Sequence, residues 1–381
     1  MPELIPYGRQ WVDEDDIAAV VEVLRGDYLT TGPAVTVFES ALAEATGATN
    51  AVALNSGTSA LHAMYFAAGL GPGDEIITSP LTFAATANAA LYLGATVRFV
   101  DVESDTGNLD PAKVEEAIGE RTKLIVPVDF AGHPADYDAL RAIADRHGVG
   151  LVADAAHSLG ATYKSRPVGT LADATEVSFH PVKPVTTAEG GAVLTSDTGL
   201  ASNARRFRTH GITKDSAELE QRDEGGWWYE QHDLGFNYRL TDVQAALGTS
   251  QMEKLAGFIG RRREIAAAYD EALSDVDAVE LPGRRSDVAP GWHLYVVRTR
   301  DPALRRPLFD RLRQRGLGVQ VHYLPVYWHP YYAGLGYARG LCPVAEGYYA
   351  GAVSLPIYPR MSGDELRRSI DTVRAAVRDL T

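Results

Sequence analysis

Short apolar runs alternate with amphipathic helical segments along the chain from about residue 50 onward. In Tyr137–His147, for example, three apolar residues share one helical face and Gly148 ends the helix. Such alternation predicts a largely parallel sheet with helices on both faces, the pattern of an α/β fold. The runs predicted as its strands are Ala51–Leu54, Glu75–Thr78, Thr96–Val100, Lys123–Val128 and Gly150–Ala153.

One pair of predicted strands breaks this alternation. Ala174–Phe179 and Gly191–Thr195 are both apolar, but only a loop without a helical pattern joins them. Parallel neighbours need a long crossover connection, usually a helix. We therefore predict that these two strands run antiparallel, which makes the large sheet mixed.

A second pattern begins near residue 240 and predicts a smaller C-terminal α/β unit. Thr241 and Gln244 have the spacing of a capping box, which opens a helix through Leu255, and a further helix is predicted from Phe258. The predicted domains are residues 1–255 and 256–381. The smaller one contains a strand at His293–Val297, a helix at Leu304–Arg315, a strand at Gly318–His322, and a last helix with Leu366, Ile370, Val373 and Val377 on one face and Ser362 and Glu365 as its cap.

Composition narrows the class of protein. The 381 residues are 45% hydrophobic and 23% charged, with a formal net charge of -14. This acidic balance argues against nucleic acid as a partner, because such proteins carry a concentrated basic face. The sequence has one cysteine, no basic-apolar leader and no long uncharged apolar run, so we expect a cytoplasmic protein without disulfides or a membrane span.

The segment Asn55–Leu61 follows a predicted strand and opens a predicted helix. Backbone N–H groups and hydroxyls converge there at the positive end of the helix dipole, which suits a phosphate group. An ordinary strand–helix turn with a Ser/Thr cap has the same composition. Neither a P-loop nor a GxGxxG dinucleotide motif is present, which disfavours a nicotinamide dehydrogenase.

Two further segments carry candidate chemistry. Asp154 ends an apolar strand, at the edge where ligands bind in open α/β sheets, although it could equally cap the next helix. Lys183 lies in a loop bounded by prolines and glycines between two apolar strands, where a desolvated amine can act as nucleophile and base. Ser178, five residues earlier, ends the first of these strands. The order of phosphate-type turn, strand-end Asp and loop lysine makes the three elements support one another.

These elements resemble the DegT/DnrJ/EryC1/StrS family of nucleotide-sugar aminotransferases, which depend on pyridoxal 5'-phosphate (PLP). The resemblance runs from YLTTGP (28–33) to the last helix, and SFHPVKPVTTAEGGAV (178–193) is its most specific stretch. It implies PLP fold type I, which is aspartate aminotransferase-like and joins a large mixed, mostly parallel sheet domain to a smaller C-terminal α/β domain. Supporting stretches are NSGTSAL (55–61), TSPLTFAATAN (78–88), DAAHSLG (154–160), RFRTHG (206–211), DLGFNYRLTDVQAALG (233–248) and QVHYLPVY (320–327).

The resemblance also implies roles for particular residues. Lys183 occupies the position at which the family holds PLP as a Schiff base and moves the catalytic proton. Asp154 matches the partner of the pyridinium nitrogen, and His157 falls where many relatives have Gln near the phenolic oxygen. The matches to phosphate contacts are Thr58, Ser59 and Ser178.

Other matches concern the ring, the second subunit and the substrate. Phe83 matches an aromatic residue stacked on the cofactor, although a plain core position explains it equally well. Asn237 matches a phosphate contact given by a second subunit, which implies a homodimer with shared active sites. The segments that border the family's nucleotide-sugar pocket contain Arg239, His210, His322 and Tyr323, each of which could instead be a surface or dimer-contact residue.

The implied reaction moves an amino group in two halves, with L-glutamate as donor and pyridoxamine 5'-phosphate (PMP) as intermediate. The SFHPVKP and GFNYRLTD forms are most similar to the branch that aminates C4 of a UDP-4-keto-6-deoxy-N-acetylhexosamine in pseudaminic acid biosynthesis. Two alternatives stay open: a C3 or C4 aminotransferase acting on a dTDP-keto-sugar in antibiotic sugar biosynthesis, and a non-catalytic PLP-binding regulatory or sensor protein. The family's sugar 3-dehydratases are rejected, because they have histidine where this chain has Lys183.

Overall fold

The computed structural model describes residues 3–221 and 225–381. Its strands are β1 (Asn50–Leu54), β2 (Glu75–Thr78), β3 (Thr96–Phe99), β4 (Thr122–Val126), β5 (Gly150–Asp154), β6 (Thr162–Tyr163), β7 (Arg166–Pro167), β8 (Ala174–Ser178), β9 (Gly191–Thr195), β10 (Ile212–Thr213), β11 (Glu230–Gln231), β12 (Val279–Glu280), β13 (Val288–Ala289), β14 (Tyr295–Thr299) and β15 (Ala352–Leu355). Its helices are α1 (Glu14–Arg25), α2 (Pro33–Thr46), α3 (Gly57–Ala67), α4 (Ala85–Tyr92), α5 (Pro111–Ala117), α6 (Tyr137–His147), α7 (Thr198–Phe207), α8 (Asp242–Leu273), α9 (Arg305–Gln314), α10 (Pro330–Gly334), α11 (Pro343–Gly351) and α12 (Gly363–Arg378).

A seven-stranded sheet with the order β1-β9-β8-β5-β4-β2-β3 organises the larger part of the chain. β9 runs antiparallel to both of its neighbours, which confirms the antiparallel pair predicted from the missing helix. The other neighbours pair in parallel, as the alternation of strands and helices predicted. The ends of β1, β5 and β8 therefore meet at one edge of the sheet, where ligands bind in folds of this type.

Apolar cores cover both faces of this sheet. Successive strand residues point to opposite faces, so Leu151 and Val152 of β5 enter different cores, and both are almost fully buried. Helices on the two faces exclude water from the central strands, which is why these strands are mostly apolar. This rigid sheet fixes the positions of the side chains at its edge.

The helix that begins at Thr241 differs from the prediction. We predicted one helix through Leu255 and another from Phe258, but α8 is continuous over 32 residues. Its buried face continues across Gly257, because Leu255 and Ile259 pack into a core and Phe258 is also buried. A helical glycine costs only about 1 kcal/mol relative to alanine, which such packing offsets. The predicted boundary between residues 255 and 256 lies inside α8, and the division into domains at that point stays a prediction.

The C-terminal unit is built on a three-stranded sheet in which β14 lies between β12 and β15. The predicted strand at Gly318–His322 is wrong, because the segment pairs only at Gln320, which bridges Ser354 of β15. Beyond Gln320, the His322 ring bonds the Ser354 hydroxyl and the chain turns away from the sheet. The last helix is confirmed as α12, with the capping box of Ser362 and Glu365. Across the described ranges, no helix combines the length and the apolar character required of a membrane span.

Candidate active site

A cavity of about 470 Å³ lies where the ends of β1, β5 and β8 meet. The turn before α3, the end of β5, the loop between β8 and β9, and the segments around residues 293 and 322 all contribute to its lining. The predicted site residues that line it are Thr58, Phe83, Asp154, His157, Ser178, Lys183, His322 and Tyr323. Eight residues chosen from distant parts of the sequence are thus brought to one cavity.

The N-terminus of α3 forms one end of the cavity. Ser56 caps the helix by accepting the Ser59 N–H at 3.0 Å, and the Ser59 hydroxyl donates back to the Ser56 carbonyl at 2.8 Å. Ser59 is therefore buried within the cap and does not line the cavity, whereas Thr58 does. A Cβ atom on Gly57 would lie only 3.0 Å from the Ser178 hydroxyl, so glycine keeps this space open. The exposed N–H groups and hydroxyls suit a phosphate.

Asp154 is buried at the end of β5, on the floor of the cavity. The Thr86 hydroxyl donates to Asp154 Oδ2 at 2.5 Å, and the Ala156 N–H donates to Oδ1 at 3.2 Å. These two donors fix the plane of the carboxyl group. A carboxylate held in this way can pair with a protonated ring nitrogen.

Lys183 reaches the cavity from the loop between β8 and β9. The backbone N–H of Lys183 donates to the His180 carbonyl at 2.9 Å, which closes a tight turn in the loop at this residue. Burial lowers the pKa of Lys183 to about 8; Asp154 and Glu176 oppose this shift, and the Arg262 guanidinium adds to it. A substantial fraction of the amine is therefore neutral near pH 8 and can act as nucleophile or base.

Three histidines and a tyrosine form the opposite wall. His157 Nε2 lies 3.1 Å from the Tyr323 hydroxyl, and the rings of His157 and His293 have centroids 4.4 Å apart. Burial and then the charge of Lys183 hold the pKa of His157 and of His293 well below the usual range, and the same causes lower the pKa of His322 to about 4. The three rings are neutral at pH 7, so this wall offers hydrogen bonds rather than charge.

Of the predicted residues, Phe83 lies at an exposed part of the cavity and three others lie outside the lining. Phe83 lines the cavity but is 65% exposed, which excludes the plain core position. Asn237, Arg239 and His210 do not line the cavity of their own chain. Asn237 is exposed, although its carbonyl accepts from the Asn55 side chain at 3.3 Å next to the α3 turn.

Sequence reasoning missed several polar residues that line this site, among them Thr86, Glu176 and His293. Glu176 carried a usable signal, because residues two apart in a strand share a face and Ser178 was already assigned to the cavity. Thr86 and His293 gave no such signal, since each reaches the site only through the packing of the whole chain.

The cavity fits the cofactor that the sequence predicts. PLP carries a phosphate, a ring nitrogen and an aldehyde, and the cavity has a matching group for each. The α3 N-terminus with Ser178 suits the phosphate, Asp154 the nitrogen, and the Lys183 amine the aldehyde.

Comparisons with known proteins identify the family of the chain. The model of the DegT/DnrJ/EryC1/StrS aminotransferase family matches residues 10–374. The chain is 40% identical over 381 residues to the spore coat polysaccharide biosynthesis protein SpsC of Bacillus subtilis, with 99% of this chain and 97% of SpsC covered.

Two solved structures superpose on nearly the whole chain. PseC of Helicobacter pylori, an aminotransferase involved in the biosynthesis of pseudoaminic acid, has a TM-score of 0.92 and 33% identity, with 99% of this chain and 100% of PseC covered. The PLP form of Spr1654 from Streptococcus pneumoniae has a TM-score of 0.93 and 29% identity, with 99% and 100% covered. These matches confirm the predicted fold.

Proposed function

The chain belongs to the DegT/DnrJ/EryC1/StrS aminotransferase family and is a PLP-dependent sugar aminotransferase, and we propose that it aminates C4 of a UDP-4-keto-6-deoxy-N-acetylhexosamine with L-glutamate as donor. The observation that carries the proposal is the cavity in which the α3 N-terminus, Asp154 and Lys183 converge. Similarity to PseC supports the choice of sugar. The form of the Spr1654 structure that contains PMP supports PMP as the intermediate between the two halves.

PLP, when bound, acts as an electron sink that makes the amino acid Cα–H acidic. In our proposal Lys183 Nζ would hold PLP covalently and, as a free amine, would serve as the base that moves the proton of the amino donor. Asp154 keeps its negative charge opposite the ring nitrogen, and Phe83 covers the ring. The N–H groups of the α3 turn and the hydroxyls of Thr58 and Ser178 would hold the phosphate. Ser59, the third predicted phosphate contact, uses its N–H and hydroxyl in the helix cap, so in this proposal it would shape the turn instead.

The wall of neutral rings suits a substrate rich in hydroxyl and carbonyl groups. We assign His157 to the phenolic oxygen of the cofactor and His322 with Tyr323 to the sugar, because neutral imidazole and phenol groups donate and accept hydrogen bonds without repelling a substrate cation. Arg239 and His210 do not line the cavity of their own chain. In this proposal they contact either the substrate diphosphate in the cavity of the second subunit or the dimer interface.

The pH dependence of cofactor attachment tests the environment of Lys183. The neutral amine is the nucleophile, and a lowered pKa makes it available at lower pH. We expect the rate at which the apo protein binds PLP covalently to rise with pH through a midpoint of about 8. Stopped-flow absorbance of the yellow band measures this rate. A midpoint near 10.5, the ordinary value for lysine, would contradict a desolvated amine.

Sharing of active sites in a homodimer forms a second part of the proposal. Leu234 is 82% exposed and Trp227 is 76% exposed, near Asn237 in the chain, and large apolar side chains of this kind favour a contact surface. If Asn237 serves the partner's phosphate site, a dimer of one Lys183→Ala chain and one Asn237→Asp chain contains one intact site. We expect an equimolar mixture, refolded or exchanged together, to recover about a quarter of the wild-type activity, since half of the dimers are mixed.

The matched control pairs Lys183→Ala with Asp154→Ala. Both residues belong to the site of one chain, so no mixed dimer of these two variants contains an intact site. Recovery of activity in the control, or none in the first mixture, would overturn the assignment of Asn237 to the second subunit.

Product analysis tests the substrate. The enzyme with L-glutamate is incubated separately with UDP-4-keto-6-deoxy-N-acetylhexosamine and with dTDP-linked 3-keto and 4-keto sugars, and each product is identified by mass spectrometry and NMR. We expect amination at C4 of the UDP sugar. Preference for a dTDP sugar, or amination at C3, would replace this substrate while leaving the family unchanged.

A further inference from the structure

Glu176 is a buried carboxyl group that the proposed reaction does not use. It lies on β8 two residues before Ser178, on the face that lines the cavity, and its side chain is fully buried. Within the described ranges, neither of its carboxyl oxygens has a hydrogen-bond donor from another group. Leaving such a group unsatisfied is costly, so its position requires an explanation.

The groups around the Glu176 carboxyl indicate why it can be buried at this position. It is the register partner of Asp154 on the adjacent parallel strand, so both side chains point to the same face and the two carboxyl groups are neighbours. The other titratable groups that face it are Lys183 from the loop and Tyr65 from α3, whose hydroxyl already donates to the Thr86 carbonyl. A Cβ on Gly57 would lie 2.7 Å from Glu176 Oε1, which sets the carboxyl group directly beneath the phosphate turn.

Two ionised carboxylates cannot share this space comfortably. Both would only accept hydrogen bonds, and like charges in a buried site repel strongly. Burial and then the charge of Asp154 raise the pKa of Glu176 well above its usual range, although Lys183 acts in the opposite direction. Asp154 is the member of the pair that already has two donors, from Thr86 and Ala156. The proton therefore belongs on Glu176.

We propose that Glu176 stays protonated and donates a hydrogen bond to Asp154, and that it is a positioning residue which fixes the Asp154 carboxylate and keeps negative charge away from the phosphate turn. The effect of Glu176 on PLP binding rests on the proposed role of Asp154, whereas the protonation of Glu176 does not. With Glu176 neutral, Asp154 carries the negative charge where β5 and β8 end, and the other carboxyl group of the described lining, Glu189, is exposed to solvent. Were Glu176 ionised, it would repel the phosphate held by the α3 N-terminus.

Infrared spectroscopy of the apo protein tests the protonation without any cofactor. With 13C-labelled glutamate side chains, we expect the carbonyl stretch of a protonated glutamic acid at pH 7, and we expect Glu176→Gln to abolish it. Glu116→Gln is the matched control, because Glu116 is exposed and paired with Lys113, and it should leave the band unchanged. The absence of such a band, or its persistence in Glu176→Gln, would overturn the proposal.

Cofactor binding tests the positioning role. Glu176→Gln keeps a donor to Asp154 and should retain the PLP affinity within about threefold, while Glu176→Met has similar size but no donor and should weaken it about tenfold. The Met variant should also shift the pH profile of the bound-PLP absorbance, which a purely structural defect in the apo protein would not do. Equal behaviour of the two variants would contradict the role. If the wild type bound no PLP, the proposed function would fail, and the infrared result would still decide the protonation.

Discussion

Lys183→Ala is expected to lower the turnover number by at least about 10³-fold, because the proposed mechanism uses this amine both to hold PLP and to move the proton. The yellow absorbance band of covalently bound PLP should also be lost. Steady-state kinetics with L-glutamate and the keto-sugar measure the first effect, and absorbance of the purified variant the second.

Lys164→Ala is the matched control for this loss. Lys164 is an exposed lysine that pairs with Asp138 on the surface, far from the cavity lining, so its removal should leave both readouts within about twofold of wild type. A Lys183→Ala variant that keeps the yellow band would show that another amine holds the cofactor.

Asp154→Asn is expected to lower the rate of the L-glutamate half-reaction by about 10²- to 10³-fold. An amide fits the same space and keeps the acceptor for Thr86, but it lacks the charge that keeps a ring nitrogen protonated. Single-turnover bleaching of the yellow band by L-glutamate measures the rate. The exposed Asp138→Asn serves as control, and an Asp154→Asn rate close to wild type would remove Asp154 from the catalytic site.

Much of this site follows from local sequence. The ends of β1, β5 and β8 could be predicted because buried strands are continuous apolar runs and because a polar residue marks the end of each. Parallel strand ends meet at one edge, so Ser178 and Asp154 had to lie near each other once the strand order was known. The antiparallel β9 was equally predictable, since no helix separates it from β8.

Other features depend on tertiary packing and could not be predicted in this way. The break predicted between Leu255 and Phe258 does not occur, because the residues on both sides of it are buried and keep α8 continuous. The segment at Gly318–His322 has an apolar strand pattern, but only Gln320 pairs with β15. The proposed role of Asn237 involves a second subunit, and the structure of one chain shows only that this residue is exposed.

Composition alone does not distinguish Glu176 from the other acidic residues, whereas its position in the sheet does. In the sequence it is one acidic residue among 50 Asp and Glu, in an apolar strand. Only the strand period and the register with Asp154 reveal that a second carboxyl group lies on the cavity floor. A buried carboxyl group next to a second carboxyl group in a cavity is typical of functional sites in which pKa values are shifted.

A two-step absorbance experiment tests the central claim most directly, that the cavity around Lys183 transfers an amino group through bound PLP. L-glutamate is first added to the yellow enzyme, excess donor is removed, and UDP-4-keto-6-deoxy-N-acetylhexosamine is then added. The account predicts that glutamate bleaches the band with one equivalent of 2-oxoglutarate released, and that the sugar restores it with one equivalent of amino-sugar formed. A yellow band that no amino donor bleaches would contradict the account and favour a PLP-binding sensor.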